Sequence, residues 1–355
     1  MRLQILRQDE TPLSDITMDL KIEGALNISN TNGSRRTMSL SLNNTAKKYL
    51  PSIDSNIWIG TKVALQLGLV INGEEYLIPS GVFVMDDPSV SSDGTTQLNM
   101  IDKFALADGS LGGILDSILI INAGTTVYNA LKTIVTLIND PNDIIIDNSV
   151  ATQLLPYQII KEEGSSVGEI ILEIANAFSC RVYYDANGFL VFEKDSNDAT
   201  KGSTWNFTVG ENEVNYQGGN LTWKFSDVIN SVLVLGDNIN GAIARGVAKN
   251  NDLLSNTSIP NIGIEKLLVV NDDIIYNSTL AEERAKYELK LATVALTETS
   301  ISSTPIYHLD VDKVVKVTDD YLGLDGKRLL INSYSIPFNN SSMSLGLIDT
   351  FEIDL

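Results

Sequence analysis

The only histidine of this 355-residue chain is His308, and the only cysteine is Cys180. One histidine cannot supply a two-histidine metal site, and a single cysteine excludes a thiol-based metal cluster and an intramolecular disulfide. A Ser-His-Asp triad would need His308 with Asp310 or Asp312, but no Gly-x-Ser-x-Gly elbow accompanies these residues. We therefore interpret His308 as a strand residue with satisfied nitrogens and Cys180 as an inert core thiol.

Paired carboxylates are the second group with chemical potential, because glycoside hydrolysis uses two acidic side chains in different roles. The pairs are Asp86-Asp87, Glu162-Glu163, Asp272-Asp273 and Asp319-Asp320. Nothing around them distinguishes an acid from a base. Asp140-Pro141-Asn142-Asp143 offers oxygens to calcium but lacks the alternating spacing of an EF-hand loop. The sequence predicts no catalytic residue, no metal site and no cofactor.

The charge balance argues against sequence-specific nucleic-acid binding. Acidic residues outnumber basic ones 45 to 25, which gives a net charge of −20. A DNA-binding surface needs clustered Lys and Arg, and this chain has only short basic pairs such as Arg35-Arg36 and Lys47-Lys48. The acidic surface either repels DNA or keeps the chain soluble. No segment is apolar enough for a signal peptide or a membrane span, so we expect synthesis in a host cytoplasm.

The elements that must position these residues are mostly β-strands. From residue 1 to about residue 105, short segments alternate apolar and polar residues, and turn signals separate them. Asn72-Gly73 is the strongest of these signals, because both residues tolerate positive φ. Several short strands at this spacing are typical of a barrel or sandwich. We predict a first β-barrel at residues 1–105.

The middle of the chain changes to helical periodicity. Apolar side chains of segment 127–135 share one helical face, and Ser166-Val167-Gly168-Glu169 matches a capping box at the start of a second helix. A hairpin follows, with its turn at residues 185–188. We predict an inserted α/β domain at residues 106–195.

Strand patterns resume after this domain. We predict a β segment at residues 196–240 that contributes to a second barrel, an insertion at 241–295, and the remainder of the second barrel at 296–355. Within the insertion, Thr279-Leu280-Ala281-Glu282 matches another capping box and predicts a solvated outer helix.

The two β regions share one order of elements. In each, a strand leads to an Asx-Gly hairpin, an apolar strand and a last strand that ends in Ile-Asp-x-Phe. The first copy runs from Lys62 through Asn72-Gly73 to Phe104, and the second from Lys313 through Asp325-Gly326 to Phe351. This order predicts two related barrels in one chain, so that a trimer would present six quasi-equivalent barrels.

Several segments also resemble a known family. They are residues 57–62 (IWIGTK), 77–84 (LIPSGVFV), 167–175 (VGEIILEIA), 183–188 (YYDANG), 227–236 (DVINSVLVLG) and the helix at 281–291. Together they resemble the baseplate hub and tail-tip proteins of Gram-positive phages, related prophages and phage-tail-like bacteriocins. The resemblance covers nearly the whole chain, and its motifs are structural.

The resemblance implies an α+β, mainly β fold with two tail-tube-like β-barrels and inserted small α/β domains. It implies a homotrimeric ring at the tail tip of a virion or phage-tail-like particle, joining the tail tube to the tip complex around a channel for DNA or tape-measure protein. Its implied partners are the tail tube or distal tail protein, tip, spike or fibre proteins and the tape-measure protein. Because the chain ends at Leu355, we expect any wall-cutting or receptor-binding extension on another subunit.

The ring hypothesis makes two local expectations. Neighbouring subunits would pair strand edges near residues 63–69 and 314–317, and carboxylates would line the channel and discourage DNA adhesion. Two other functions stay open. A carboxylate-based peptidoglycan hydrolase would clear cell walls, and a cell-wall carbohydrate- or receptor-binding module would bind host walls without joining tail proteins.

Overall fold

A computed structural model of the protein describes residues 1–53, 55–194, 201–210, 215–239, 242–272, 275–293, 297–339 and 341–350. Strands account for 45% of the chain and helices for 17%, so the predicted α+β, mainly β class is confirmed. The described residues form three hydrophobic cores, one for the joined barrels and one for each insertion.

The first barrel is built from the N-terminal strands. They are β1 (Arg2–Leu6), β2 (Pro12–Asp15), β3 (Leu20–Ser29), β4 (Arg36–Asn43), β5 (Lys62–Ile71), β6 (Glu74–Met85), β7 (Ser89–Val90) and β8 (Thr95–Asp102). Asn72 and Gly73 have φ values of 53° and 86° and form the predicted β5–β6 turn. This turn is favoured in hairpins because its twist matches the twist of the flanking strands.

The second barrel uses strands from the remainder of the chain. They are β14 (Ser203–Thr208), β15 (Tyr216–Trp223), β19 (Thr297–Ser303), β20 (Val314–Asp319), β21 (Leu324–Pro337) and β22 (Met343–Asp349). The hairpin turn predicted at Asp325-Gly326 was wrong, because both residues lie inside β21. The chain turns earlier, where Asp319 accepts the backbone N–H groups of Tyr321 and Leu322 and Gly323 follows with φ 68°.

One long strand joins the two barrels into a single fourteen-stranded sheet. The first part of β21 pairs with β20 and β22, and its residues 333–337 pair with β3. Side chains on one face of this sheet, such as Leu40 from the first barrel and Leu345 from the second, share one core. The two barrels therefore cannot separate without exposing apolar surface.

The first insertion has its own α/β core. Its elements are β9 (Leu119–Ile121), α1 (Val127–Thr136), β10 (Ile145–Ile146), α2 (Asn148–Ala151), β11 (Ile159–Lys161), α3 (Val167–Ala177), β12 (Cys180–Tyr184) and β13 (Leu190–Lys194). The apolar face predicted for α1 is buried, and the Ser166 side chain accepts the Glu169 backbone N–H as the capping box predicted.

The second insertion departs from the sequence interpretation. Its elements are β16 (Ser231–Ile239), β17 (Ala242–Lys249), α4 (Ile259–Ile262), β18 (Leu267–Asn271) and α5 (Ser278–Thr293). Segment 196–240 is expected to contribute to the second barrel, but its strand β16 pairs with β17 and β18 in a separate sheet. Apolar alternation alone does not identify a strand's partners, which explains the error.

Helix α5 begins two residues earlier than its predicted cap allowed. Asn277, and not Thr279, accepts the Leu280 backbone N–H through its side chain, at 2.9 Å. The helix is also less solvated than predicted, because Ala281, Ala285 and Leu289 are buried against the sheet of the second insertion. Arg284, which also belongs to α5, donates to the carbonyl of Asn176 at 2.7 Å, so α5 also contacts the end of α3.

The cap of α3 allows a direct test of local stability. Replacing Ser166 with alanine removes the acceptor of the Glu169 N–H, and N-cap replacements of this kind cost about 1 kcal/mol. We expect Ser166→Ala to lower the free energy of unfolding by about that amount in urea titrations followed by circular dichroism. The matched control is Ser165→Ala, since among the described residues Ser165 bonds through its backbone alone. Equal effects of the two variants would contradict the capping role.

Candidate interaction surfaces

Two neighbouring arginines at the start of β4 join three parts of the chain. Arg36 is 1% exposed. Its Nη1 donates to the carbonyl of Tyr184 in the first insertion at 2.6 Å, and its Nη2 donates to Asp310 before β20 at 2.6 Å. A buried guanidinium requires such partners, because an unpaired charge in the interior is strongly unfavourable. The first barrel, the first insertion and the second barrel are therefore fixed to one another here.

Arg35 repeats this arrangement on the other side of the strand. Its Nη1 lies 2.9 Å from Asp312, which also accepts from Arg181 of the first insertion. The guanidinium carbon lies 3.5 Å from the ring centroid of Tyr183, close enough for a cation–π contact. Asp312 is thus shared between two arginines from different units, which orients the first insertion relative to both barrels.

A buried aspartate holds the backbone of this pair. Asp102, at the end of β8, accepts the backbone N–H groups of Arg35 at 2.6 Å and Arg36 at 2.9 Å, and that of Phe104 at 3.1 Å. Burial raises the pKa of Asp102, while the three backbone donors act in the opposite direction. The Asp102 side chain therefore connects the end of β8 to the start of β4.

A second buried cluster lies at the boundary between the first barrel and the first insertion. Lys103 is 0% exposed and contacts Glu10 at 2.6 Å and Asp140 at 2.7 Å. Glu10 also pairs with Lys62 at 2.8 Å, and the Tyr184 hydroxyl donates to Asp140 at 2.6 Å. Burial raises the pKa of Tyr184, which stays protonated and acts as a donor. The cluster balances two lysines with two carboxylates.

The face of the large sheet that points away from the core is uncharged over neighbouring strands of both barrels. One row of cross-strand partners runs through Gly218, Ser302, Ser344, Ser335, Asn27 and Thr37. A second row runs through Asn220, Ser300, Gly346, Ser333 and Ser29. We call these two rows the hydroxyl-rich face.

Such a face is unusual for this chain. Charged residues make up about 25–35% of an ordinary protein surface, and the chain has a net charge of −20. At the end of the second row, Ser29 lies beside Arg35, which is buried and paired with Asp312. In the next row on one side, Glu298 is charged and pairs with Lys224 at 2.6 Å. The hydroxyl-rich face therefore presents short polar groups that neither attract nor repel a charged polymer strongly.

The β5–β6 hairpin projects beyond the strands that flank it. β1 pairs with β5 only as far as Gln66, and β8 pairs with β6 only at residues 83–85. Residues 67–78, which we call the ribbon, have no further strand partner within the described ranges. Its exposed apolar side chains are Leu69, Val70, Ile71, Tyr76 and Ile78. The ribbon thus exposes both backbone edges and apolar side chains.

A second open edge lies at the other end of the sheet. In the part of the chain that the structure describes, β15 pairs with β19 alone. The segment YQGGNLTW contains no charged residue, and Trp223 and the nearby Phe225 are 55% and 71% exposed. Unpaired N–H and C=O groups on such an edge are a template for strand addition.

The strand edges expected from the sequence are only partly available. Residues 314–317 belong to β20, which pairs with β14 on one side and β21 on the other. The expectation of a free edge there was wrong, because β14 covers it in a parallel pairing that the sequence did not reveal. Of residues 63–69, all pair with β6 on one side, and those beyond Gln66 lack a described partner on the other side.

Comparison with solved structures matches this fold over nearly the whole chain. The tail protein from Neisseria meningitidis MC58 is 13% identical, with a TM-score of 0.67 over 98% of this chain and 96% of that chain. Prophage tail protein gp18 from Listeria monocytogenes EGD-e is 14% identical, with a TM-score of 0.62 over 99% and 96%. The E. coli c3393 protein is 13% identical, with a TM-score of 0.54 over 99% and 77%.

The chain has the fold of phage and prophage tail proteins. The predicted resemblance to tail hub proteins is thereby confirmed at the level of the fold. The c3393 protein is described as a component of the type VI secretion system with structural similarity to the bacteriophage T4 tail proteins gp27 and gp5. No family model and no curated protein matches the sequence.

Asp310 and Asp312, the acids considered beside His308, pair with arginines: Asp310 with Arg36, and Asp312 with Arg35 and Arg181. His308 lies in an exposed turn, not in a strand, and its ring is 5.3 Å from that of Trp205 in an edge contact. The predicted strand was wrong because Tyr307 and His308 turn the chain between β19 and β20. Cys180 is buried in the core of the first insertion, as predicted.

Of the carboxylates considered for catalysis or calcium binding, some have structural partners and others are exposed on the surface. Asp140 is an internal partner of Lys103 and Tyr184, and Asp319 accepts from the Tyr216 hydroxyl at 2.5 Å. Glu162 and Glu163 are exposed. Asp273 lies outside the described residues. Among the residues described, no three His, Cys, Asp or Glu side chains form a group that could hold a metal ion, and no helix is long and apolar enough to cross a membrane.

Sequence reasoning missed the role of the arginine pair. Arg35-Arg36 was noted only as a short basic pair, although both side chains are buried. The available signal was that two adjacent arginines precede the alternating strand at residues 37–42 in a strongly acidic chain. Their acidic partners are more than 270 positions away in the sequence, at Asp310 and Asp312, so no local pattern could have identified them.

The buried Lys103 cluster predicts a large stability effect. Lys103→Met would leave Glu10 and Asp140 with one cation fewer in the interior, and breaking a buried pair costs about 3–5 kcal/mol. We expect a fall of about that size in the free energy of unfolding, measured by urea titration. The control is Lys132→Met, whose pair with Asp143 is exposed and should contribute little. Similar stabilities for the two variants would contradict this assignment.

Proposed function

We propose that this protein is a structural tail-tip or baseplate hub subunit. In this proposal three copies form a ring that joins the tail tube to the tip complex around a channel for DNA or tape-measure protein. The observation that carries the proposal is the single sheet shared by two barrels, in a fold that known tail proteins share over at least 96% of their length. The role is assembly, without catalysis.

The architecture supports a threefold ring. Each subunit contributes two barrels held in one sheet, so a trimer offers six barrel units to a sixfold tube. The open edges at the ribbon and at β15 supply surfaces for subunit contact. The c3393 protein, which is described as structurally similar to the T4 tail proteins gp27 and gp5, shares this fold and supports a tail-assembly role for this chain.

We propose the hydroxyl-rich face as the channel wall, in place of the carboxylate lining expected from composition. Non-specific DNA binding comes mainly from Lys and Arg on phosphates, and this face offers none. Serine and threonine side chains are short, and their free energy changes little when they exchange one hydrogen-bond partner for water. A passing polymer would find no charged group that holds it.

The domain boundaries at residues 105, 195 and 295 remain part of this proposal, whereas the boundary expected at 240 moves to about residue 230. The core of the first insertion extends from Phe104 to Phe192, and that of the second from Val232 to Leu289. These cores support two inserted units between the barrel segments, with the strand at 231–239 moved into the second unit.

The first test is the mass of the purified protein by light scattering, followed by electron microscopy of the same sample. We expect a trimer with a central opening. A chain that is monomeric at all concentrations, and also in the presence of its tail-tube protein, would contradict the hub proposal. Cell-wall clearing by the purified protein would instead favour a hydrolase.

The channel wall has a test of its own in assembled particles. Thr37→Lys with Ser335→Lys would place six cations around the wall of a trimer, and each phosphate contact strengthens DNA binding in a salt-dependent way. We expect normal assembly and slower DNA ejection, with the delay disappearing at high salt. Ser117→Lys, on an exposed loop of the first insertion, is the control. Ejection at the normal rate from the double variant would contradict the assignment of the wall.

A further inference from the structure

We propose that the ribbon of one subunit adds to the open edge of β15 in a second copy of this chain. The inference rests on the proposed ring and specifies which surfaces close it. The ribbon and β15 lie near opposite ends of the strand order, so their pairing would continue the large sheet from one subunit into the next.

The ribbon needs a partner for physical reasons. A two-stranded hairpin is at best marginally stable in water when no third strand or core supports it. One face of the ribbon carries Leu69 and Ile71, which continue the alternation of the buried Leu67, and Tyr76 is the cross-strand partner of Leu69. Their exposed apolar surface would be removed from water by a neighbouring strand and its side chains.

The two strands of the ribbon lie very close together at Gly68. Gly68 lies where an added Cβ would be 1.8 Å from the carbonyl oxygen of Tyr76. The hairpin strands therefore approach closely at that point, and the ribbon continues as a tight two-stranded arm. Arg2 pairs with Glu75 at 2.6 Å, which holds the arm against the N-terminal strand.

The edge of β15 lacks the features that usually protect an exposed strand. Edge strands are commonly protected by charged residues or proline. Within the described residues, β2 has Pro12 and Asp15, and β17 has Arg245 and Lys249. β15 has none of these, and it has eight residues. It is therefore a long uncharged edge of the large sheet; β14 (STWNFT), which pairs with β20 alone among the described residues, is a shorter one.

The identity of the partner follows from the difference between the two surfaces. A twofold dimer would use the same edge from both copies, whereas pairing of two different edges is head-to-tail and closes into a ring when the rotation permits. The ribbon carries Glu74 and Glu75, of which Glu75 pairs with Arg2 of the same chain, whereas β15 contains no charged residue. Charge complementarity therefore does not select the partner. A second copy supplies the missing edge with matching apolar character, since Trp223 and Phe225 lie at the end of β15.

Cysteine cross-linking tests this arrangement. Val70 on the ribbon is 66% exposed and Asn220 is exposed on β15, while the native Cys180 is buried and leaves a low background. We expect the double variant V70C/N220C to form covalent dimers and trimers with a short bismaleimide, which tolerates a shift in register. Neither V70C nor N220C alone should form them.

Each other outcome has a definite meaning. Dimers from V70C alone would indicate a twofold contact and overturn the proposal. If the double variant does not cross-link but is trimeric by light scattering, this contact is overturned and the proposed ring is retained. A wild-type chain that stays monomeric at all concentrations, and also in the presence of its tail-tube protein, would overturn both. The matched control is V90C/N220C, because Val90 is also exposed on a strand of the first barrel.

A charge substitution gives an independent measurement. Leu69→Lys places a cation in the proposed contact at a position that is already 55% exposed, so circular dichroism and the melting temperature should not change. We expect its mass by light scattering to fall from trimer to monomer, and Val90→Lys to remain trimeric. A trimeric, folded Leu69→Lys variant would overturn the proposed contact.

Discussion

Three units of this chain meet at two buried guanidinium groups, and the remaining architecture depends on how those charges are satisfied. Arg35 and Arg36 leave the first barrel at the start of β4 and find acceptors in the first insertion and before β20. Because a buried cation without a partner costs several kcal/mol, the three units can adopt only arrangements that supply all these acceptors together. The arginine pair thus specifies orientation, a role that apolar contacts serve less well because they are non-directional.

The long strand β21 joins the two barrels that the arginine pair orients, so that they form one continuous surface. It pairs with β22 along one part and with β3 along another, so the two barrels share both a core and an outward face. Rows of short polar side chains can then cross from one barrel to the other without interruption. A chain with two separately folded barrels would have a boundary at this point, and any wall made from it would depend on how the barrels moved.

The low identity to the tail proteins that share this fold, 13–14% for those compared, is consistent with these constraints. A sheet requires alternation of apolar and polar residues, and many residues satisfy that requirement. The proposed assembly surfaces consist of backbone edges and short polar side chains, which do not demand particular residue types. Sequence can therefore change widely while the fold is kept, as long as buried charges retain partners.

The sequence by itself determined the mainly β class, the Asn72-Gly73 hairpin, the apolar face of α1 and the capping serine at Ser166, because each depends on residues that are close in the chain. Tertiary structure alone decided the pairing of β20 with β14, the placement of β16 in a separate sheet and the partners of Arg36. Each of these joins segments separated by tens to hundreds of residues, and apolar alternation does not specify which edge or charge a distant segment will meet. The hydroxyl-rich face also depends on tertiary structure, because its residues are neighbours only across strands.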